Sequence, residues 1–249
     1  METSESTGLG RVETRTVRLV EADGPFRLES GERLAPIDVA YETYGELNDD
    51  RSNCVVVCHA LTGDANAAGH HGDPARPGWW DTIIGPGKPV DTDRYHVVAS
   101  NLLGGCAGTT GPSSIDPATG APYGLRFPSF TVRDLVEVQR LLLARLGIER
   151  PLAAMGGSLG GMQVLQWGLD HPSELGAALV ICASSRLSDQ NIGFSAVARH
   201  AIMSDPDFQD GDYYGSGRAP EKGLSVARMM AHITYLSAQG MGQKFGRAV

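Results

Sequence analysis

Between Thr131 and Ala183 the apolar residues switch from helical to extended spacing and back, and that alternation narrows the possible folds more than any other feature of the chain. Leu135, Val138, Leu142 and Leu146 recur at helical spacing, with Thr131 placed as N-cap, Asp134 three residues on and Gly147 as the stop. A short apolar run, Pro151 to Met155, comes next, then a Gly-Gly-Ser turn, a second helix from Leu159 to Asp170 that stops before Pro172, and a third apolar run from Leu175 to Ala183. Strands that are apolar throughout are buried on both faces, so this order predicts a mostly parallel sheet with helices on both faces. The expected class is doubly wound α/β.

Upstream, strand-like runs occupy Thr16 to Val20, Ile37 to Thr43, Asn53 to Cys58 and Tyr95 to Ala99, each rich in β-branched or apolar residues. Beyond Ser184 only helical segments follow, near Gln190 to Ser204 and Leu224 to Gln239, joined by the polar, turn-rich stretch Asp205 to Pro220. The expectation is an α/β core over residues 1–184 and a helical region over 185–249, with the closing strands of the sheet absent.

Composition excludes several classes of function. The chain has 249 residues, enough for one large domain with a sizeable core. Its formal charge of −8 leaves no basic footprint for a phosphate backbone, so nucleic acid is not an expected partner. The longest apolar stretch falls well short of the roughly 20 residues that cross a bilayer, and the polar start METSESTGLG has no apolar targeting core. A cytoplasmic protein without a membrane partner is expected. Cys54 and Cys58 flank three valines and stand too far apart along an extended strand to form a disulfide, so reduced core thiols are expected. No metal site or cofactor is expected. Glycine, at 32 of 249 residues, exceeds the usual ~7%, which points to function built on loops.

Gly156-Gly157-Ser158-Leu159-Gly160 fits G-x-S-x-G, the nucleophile elbow, and it joins an apolar strand to a helix as that motif requires. Small neighbours allow a strained turn that lifts the serine hydroxyl above the sheet edge. An ordinary glycine-rich or phosphate-binding turn remains the alternative. A serine hydroxyl needs a base to take its proton and N–H donors for the developing oxyanion. The Leu159 amide at the helix start is one candidate donor, and the Leu61 amide, in the loop His59 to Gly63 after an earlier strand, is the second. His59 precedes the serine and reads as a structural histidine. The expected order is serine, acid, histidine, yet His171 falls at the far end of the serine's own helix, and His200 and His232 lie in the helical region.

Five blocks in one order resemble the homoserine O-acyltransferases of the α/β-hydrolase superfamily, the homoserine O-acetyltransferase type: His59 to Asp64 (HALTGD), Asn101 to Pro112, Thr119 to Pro128, Gly156 to Gln163 (GGSLGGMQ) and Ala227 to Ser237. Asn66 departs from a histidine often found there. The resemblance implies an α/β-hydrolase fold with a helical lid, and transfer of an acetyl group from acetyl-CoA through Ser158 to the hydroxyl of L-homoserine, feeding methionine synthesis. It also implies a homodimer built through the lid. In such proteins the catalytic acid and base follow the lid. Because the sequence ends at Gly246-Arg247-Ala248-Val249, the expectation is that the C-terminal part of the core is missing and that this chain alone is inactive. A succinyl donor, a serine acceptor, an esterase of the same fold and a non-catalytic remnant stay open.

On the segment Leu224 to Ser237, Val226, Met229, Met230, Ile233 and Leu236 form an apolar stripe, and Ser225, Arg228, His232 and Tyr235 the opposite face. A solvated polar face explains that pattern by itself. The resemblance instead implies that Arg228 and Tyr235 hold the carboxylate of the amino-acid substrate, a task suited to the planar fork of arginine.

Overall fold

The computed structural model describes residues 8–246; the first seven residues of the polar start and Arg247–Val249 lie outside them. Backbone contacts divide the chain into two units, one comprising the residues up to Pro112 with Phe127–Ser185, the other Ser113–Arg126 with the residues from Arg186 onward.

The first unit holds a six-stranded sheet. Its strands are β1 (Arg15–Val20), β2 (Ile37–Tyr44), β3 (Cys54–Cys58), β4 (His96–Ser100), β5 (Ala153–Gly157) and β6 (Ala177–Ile181), in the spatial order β1-β2-β4-β3-β5-β6. β2 pairs antiparallel with both β1 and β4, whereas β4, β3, β5 and β6 pair in parallel. Helix α1 (Val132–Arg145) precedes β5 and helix α2 (Leu159–Asp170) follows it. The start of α1 follows the expected chemistry: the Asp134 carboxylate accepts the Thr131 N–H at 2.8 Å and the Glu29 N–H at 2.9 Å. Gly147 ends the segment at φ 73°, where a side chain would be strained.

Side-chain alternation in β3 shows how the two faces of the sheet are covered. Cys58 points toward α1, its thiol donating to Gln139 at 3.3 Å, while Val55 and Val57 pack with Ala67, Ala68, Ile84 and Met155 on the opposite face. That second face is covered around β3 by the stretch Ala67 to Val90, which contains a ribbon pairing Ile84–Gly85 with Val90–Asp91 and no helix. Pro74, Pro77, Pro86 and Pro89, interleaved with five glycines, explain why no helix forms there.

The last apolar run differs from a doubly covered strand. β6 pairs only with β5, and all five of its residues are exposed, Leu179 by 45%. Its continuous apolar sequence suits a strand with a neighbour on each side, and among the described residues it has one.

In the second unit, helix α3 (Asp189–Met203) packs on helix α4 (Glu221–Tyr235). Asp205 sets the start of α4, accepting the Gly223 N–H at 2.8 Å and the Asp207 N–H at 3.0 Å, and these bonds hold its carboxyl below the usual range. A Cβ on Gly223 would lie 2.4 Å from the Ala201 carbonyl, so the helices approach through this glycine. The apolar stripe of α4 is not the packed face: Val226, Met229 and Ile233 are exposed. The single helix expected over Leu224 to Gln239 is broken. Leu236 is extended, and Ser237 caps a new helix α5 (Ala238–Phe245) by accepting the Gly240 N–H at 3.0 Å.

Candidate active site

Strand β5 runs into Ser158, whose backbone stands at φ 55° and ψ −119°, a region that costs a non-glycine residue on the order of 1–3 kcal/mol. Neighbours hold it there. The Ser158 N–H donates to the Ile181 carbonyl of β6 at 3.0 Å, and the Met162 N–H donates to the Ser158 carbonyl at 3.0 Å. Both motif glycines are sterically required: a Cβ on Gly156 would lie 2.4 Å from Gly160 backbone, and one on Gly160 would lie 2.0 Å from the Cys58 carbonyl oxygen. Gly157, the variable position, has no such neighbour, the nearest atom standing 3.9 Å away. The result is an exposed serine at the N-terminus of α2.

The approach of Gly160 to Cys58 and His59 brings the loop after β3 against the start of α2. Leu159 is the first residue of that helix, so its N–H has no intrahelical acceptor. Leu61 is exposed, and its N–H makes no hydrogen bond with the described residues. His59 is buried; its Nδ1 lies 2.6 Å from the Ala60 carbonyl oxygen, and the Leu102 N–H donates to its Nε2 at 3.2 Å. Burial pushes its pKa below the usual 6.5, against the bond to Ala60 and the charge of Asp64. Both ring nitrogens are occupied within the chain, in keeping with a structural histidine.

Two buried glutamines, without a role in the sequence pattern, join the same elements. Gln163 Nε2 donates to the Leu159 carbonyl at 3.1 Å and to the His59 carbonyl at 3.5 Å, and its Oε1 accepts from Gln139 Nε2 of α1. Gln163 is fully buried. A glutamine with no exposure one turn into the serine's helix has its amide satisfied in part by its own helix and in part by Gln139 and His59, tertiary partners that spacing does not reveal. Burial also raises the Cys54 and Cys58 thiols to about 12.

On its other side the loop is anchored by Glu42 of β2, buried to 1% exposure. Its Oε1 accepts from Thr14 Oγ1 at 2.8 Å and stands 2.7 Å from His71 Nε2, and its Oε2 accepts from Tyr44 Oη at 2.8 Å and Asn66 Nδ2 at 3.2 Å. Asn66, the departure from the family pattern, thus ties the loop to the sheet, and its Nδ2 also donates to the Ala68 carbonyl at 3.1 Å. Burial, then the charge of Glu42, pushes the Tyr44 hydroxyl pKa upward.

The family described as alpha/beta hydrolase fold matches residues 53–244. The chain belongs to that family. It is 58% identical over 249 residues to a homoserine O-succinyltransferase of Magnetococcus marinus, covering 97% of this chain and 63% of that protein. It is likewise 58% identical over 225 residues to a homoserine O-acetyltransferase of Methanosphaerula palustris, covering 90% of this chain and 46% of the relative. The crystal structure of homoserine O-acetyltransferase from Bacillus anthracis superposes with a TM-score of 0.89 at 31% identity, covering 96% of this chain and 65% of that one. This chain of the α/β-hydrolase family thus spans less than two thirds of the length of these relatives.

Ser158, Leu159 and the loop carrying Leu61 meet in the first unit, at the hydrolase elbow. Of the histidines that follow the serine, His171 shares their unit and does not join them. His171 caps the other end of α2, about 18 Å along the helix axis, with its Nε2 2.6 Å from Glu137. His200 and His232 lie on α3 and α4 of the second unit. Arg228 and Tyr235 also belong to α4, two turns apart and both exposed, Tyr235 by 80%. Among the described residues no cluster of His, Cys, Asp or Glu could hold a metal ion, and no helix is long and apolar enough to cross a membrane.

Proposed function

We propose that the protein is a homoserine O-acyltransferase that carries the acyl group on Ser158, and that its donor is acetyl-CoA. The observation that carries this reading is the strained, exposed Ser158 at the start of α2, beside a loop whose Leu61 N–H has no hydrogen-bond partner among the described residues. The similarity to named homoserine acyltransferases supports the substrate class. Both acetyl and succinyl names occur among them, so succinyl-CoA is the alternative donor.

In the first half-reaction Ser158 Oγ attacks the thioester carbonyl, its proton passes to a general base, and the base returns that proton to the sulfur as the C–S bond breaks, releasing CoA as the thiol. The Leu61 and Leu159 amides stabilise the oxyanion of the tetrahedral intermediate. In the second, the homoserine hydroxyl attacks the Ser158 ester and gives its proton to the same base, the acyl C–O bond to Ser158 Oγ breaks, and the base passes that proton to Oγ to restore the serine hydroxyl. Arg228 and Tyr235 are proposed to hold the homoserine carboxylate, no cofactor takes part, and the product enters methionine synthesis. The proposed assembly is a cytoplasmic homodimer through the helical unit, supported by the exposed apolar residues of α4.

The test is mass spectrometry of the full-length protein after treatment with acetyl-CoA or succinyl-CoA. An adduct on Ser158 that is absent in Ser158→Ala and discharged by homoserine is expected. An adduct on another residue, or one discharged by water as fast as by homoserine, would overturn the assignment.

A further inference from the structure

Resting on that acyl-transfer reading, we propose that His59 is a positioning residue that aims the Leu61 amide at the oxyanion. The Leu102 N–H donates to His59 Nε2 at 3.2 Å, and a ring nitrogen that accepts a hydrogen bond carries no proton. The ring hydrogen therefore sits on Nδ1 and is donated to the Ala60 carbonyl oxygen, 2.6 Å away. The Gly63 N–H donates to the same oxygen at 2.9 Å.

That oxygen belongs to the peptide unit whose nitrogen is Leu61 N. A trans peptide is planar, and its C=O and N–H point in opposite directions. Two donors holding the Ala60 oxygen thus set the direction of the Leu61 N–H. They also polarise the unit and make that N–H a stronger donor, because hydrogen bonds in a chain reinforce one another. The ring is confined as well: a Cβ on Gly63 would lie 2.9 Å from His59 Cβ, so the turn closes directly on the imidazole. At its other end the His59 carbonyl faces the Gln163 amide at 3.5 Å, which ties the same turn to the serine's helix. His59 touches no reacting atom and acts through one peptide plane.

The two bonds of the ring can be separated. His59→Asn places an amide N–H where Nδ1 stands and removes the Nε2 acceptor; His59→Gln places an amide oxygen near Nε2 and removes the donor to Ala60. Removing an oxyanion donor lowers kcat by about 10²–10³-fold. In the full-length protein, His59→Gln is expected to slow acylation of Ser158 by about 10²-fold with KM for the acyl-CoA nearly unchanged, and His59→Asn to stay within a few-fold of the parent. A ring that merely anchors the Leu102 segment gives the reverse order, and that order would overturn the proposal.

Nitrogen-15 NMR supplies a readout independent of turnover. The Leu61 amide resonance is expected to move in His59→Gln and to hold in His59→Asn, and the parent imidazole is expected to show a protonated Nδ1 and an unprotonated Nε2. The opposite tautomer, or a Leu61 resonance unmoved in His59→Gln, overturns the role of His59 even where a variant folds poorly. A parent protein that never acylates Ser158 strikes the acyltransferase reading alone, and the NMR result still decides the positioning.

Discussion

Gly160→Ala sets two physical effects of opposite sign against each other. Gly160 is in the first turn of α2, where replacing glycine with alanine ordinarily stabilises a helix by about 1 kcal/mol. Here the added Cβ would stand 2.0 Å from the Cys58 carbonyl oxygen, 2.8 Å from its carbon and 3.1 Å from the His59 carbonyl oxygen. Relaxed contacts are about 3.5 Å, so the end of β3 and the elbow must part by more than about 1 Å. All three atoms are backbone and cannot swing aside. Overpacking of this kind costs about 1–3 kcal/mol, which exceeds the helical gain. The same displacement carries the Leu61 loop away from Ser158, and a misplacement of about 1 Å at a reacting centre costs about 10²-fold in rate. Gly157→Ala is the control, because its Cβ would meet nothing nearer than 3.9 Å. Urea unfolding should place Gly160→Ala below the parent in midpoint and Gly157→Ala within about 0.5 kcal/mol of it, while the rate of Ser158 acylation falls only in the former. A Gly160→Ala protein as stable as the parent and fully acylated would refute the close-approach argument.

Glu42→Gln turns one acceptor oxygen into a donor facing donors, since Thr14, His71, Tyr44 and Asn66 all approach the carboxylate. A loss of about 1–3 kcal/mol in urea unfolding is expected, and an unchanged midpoint would show that the cluster reorganises without cost. Cys54 and Cys58, buried and raised to about 12, stay protonated at pH 8, so a thiol reagent should label exposed Cys106 and Cys182 in the native protein and all four thiols in urea. Arg228→Lys keeps the charge and loses the fork, so KM for homoserine should rise about tenfold while acylation by the donor is unchanged; equal loss in both half-reactions points to a structural role.

The parts of the molecule legible in the sequence are those governed by local rules. Thr131, Asp134 and Gly147 mark α1 because capping and left-handed turns involve residues within one helical turn of each other. Gly156 and Gly160 mark the elbow because its strained serine and the approach of Gly156 to Gly160 fall within five residues, whereas the approach of Gly160 to Cys58 joins distant parts of the chain. Ser237 could have marked the break between α4 and α5 by the same chemistry, but the apolar spacing ran through it and masked the cap. The stretch Ala67 to Val90 was not legible as a sheet cover. It has no period, and it reaches the core through separate residues such as Ala67, Ala68 and Ile84.

The polar residues that shape the loop after β3 show the limit most clearly. Glu42, His59, Gln139 and Gln163 come from β2, the turn after β3, α1 and α2, and each is buried and polar, a combination that is costly unless every polar atom finds a partner. Their partners lie from one to more than a hundred residues away: Ala60 and Leu102 for His59, Cys58 and Gln163 for Gln139, the His59 carbonyl for Gln163. A residue type announces a demand for hydrogen bonds and says nothing about which strand or helix meets it. Because a buried amide or carboxylate here forms bonds to two or more elements, its removal costs the bonds and also releases the relative placement of those elements. The serine is therefore recognisable from five residues, while the geometry that would make it reactive depends on contacts that exist only once the sheet, the loop and both helices have assembled.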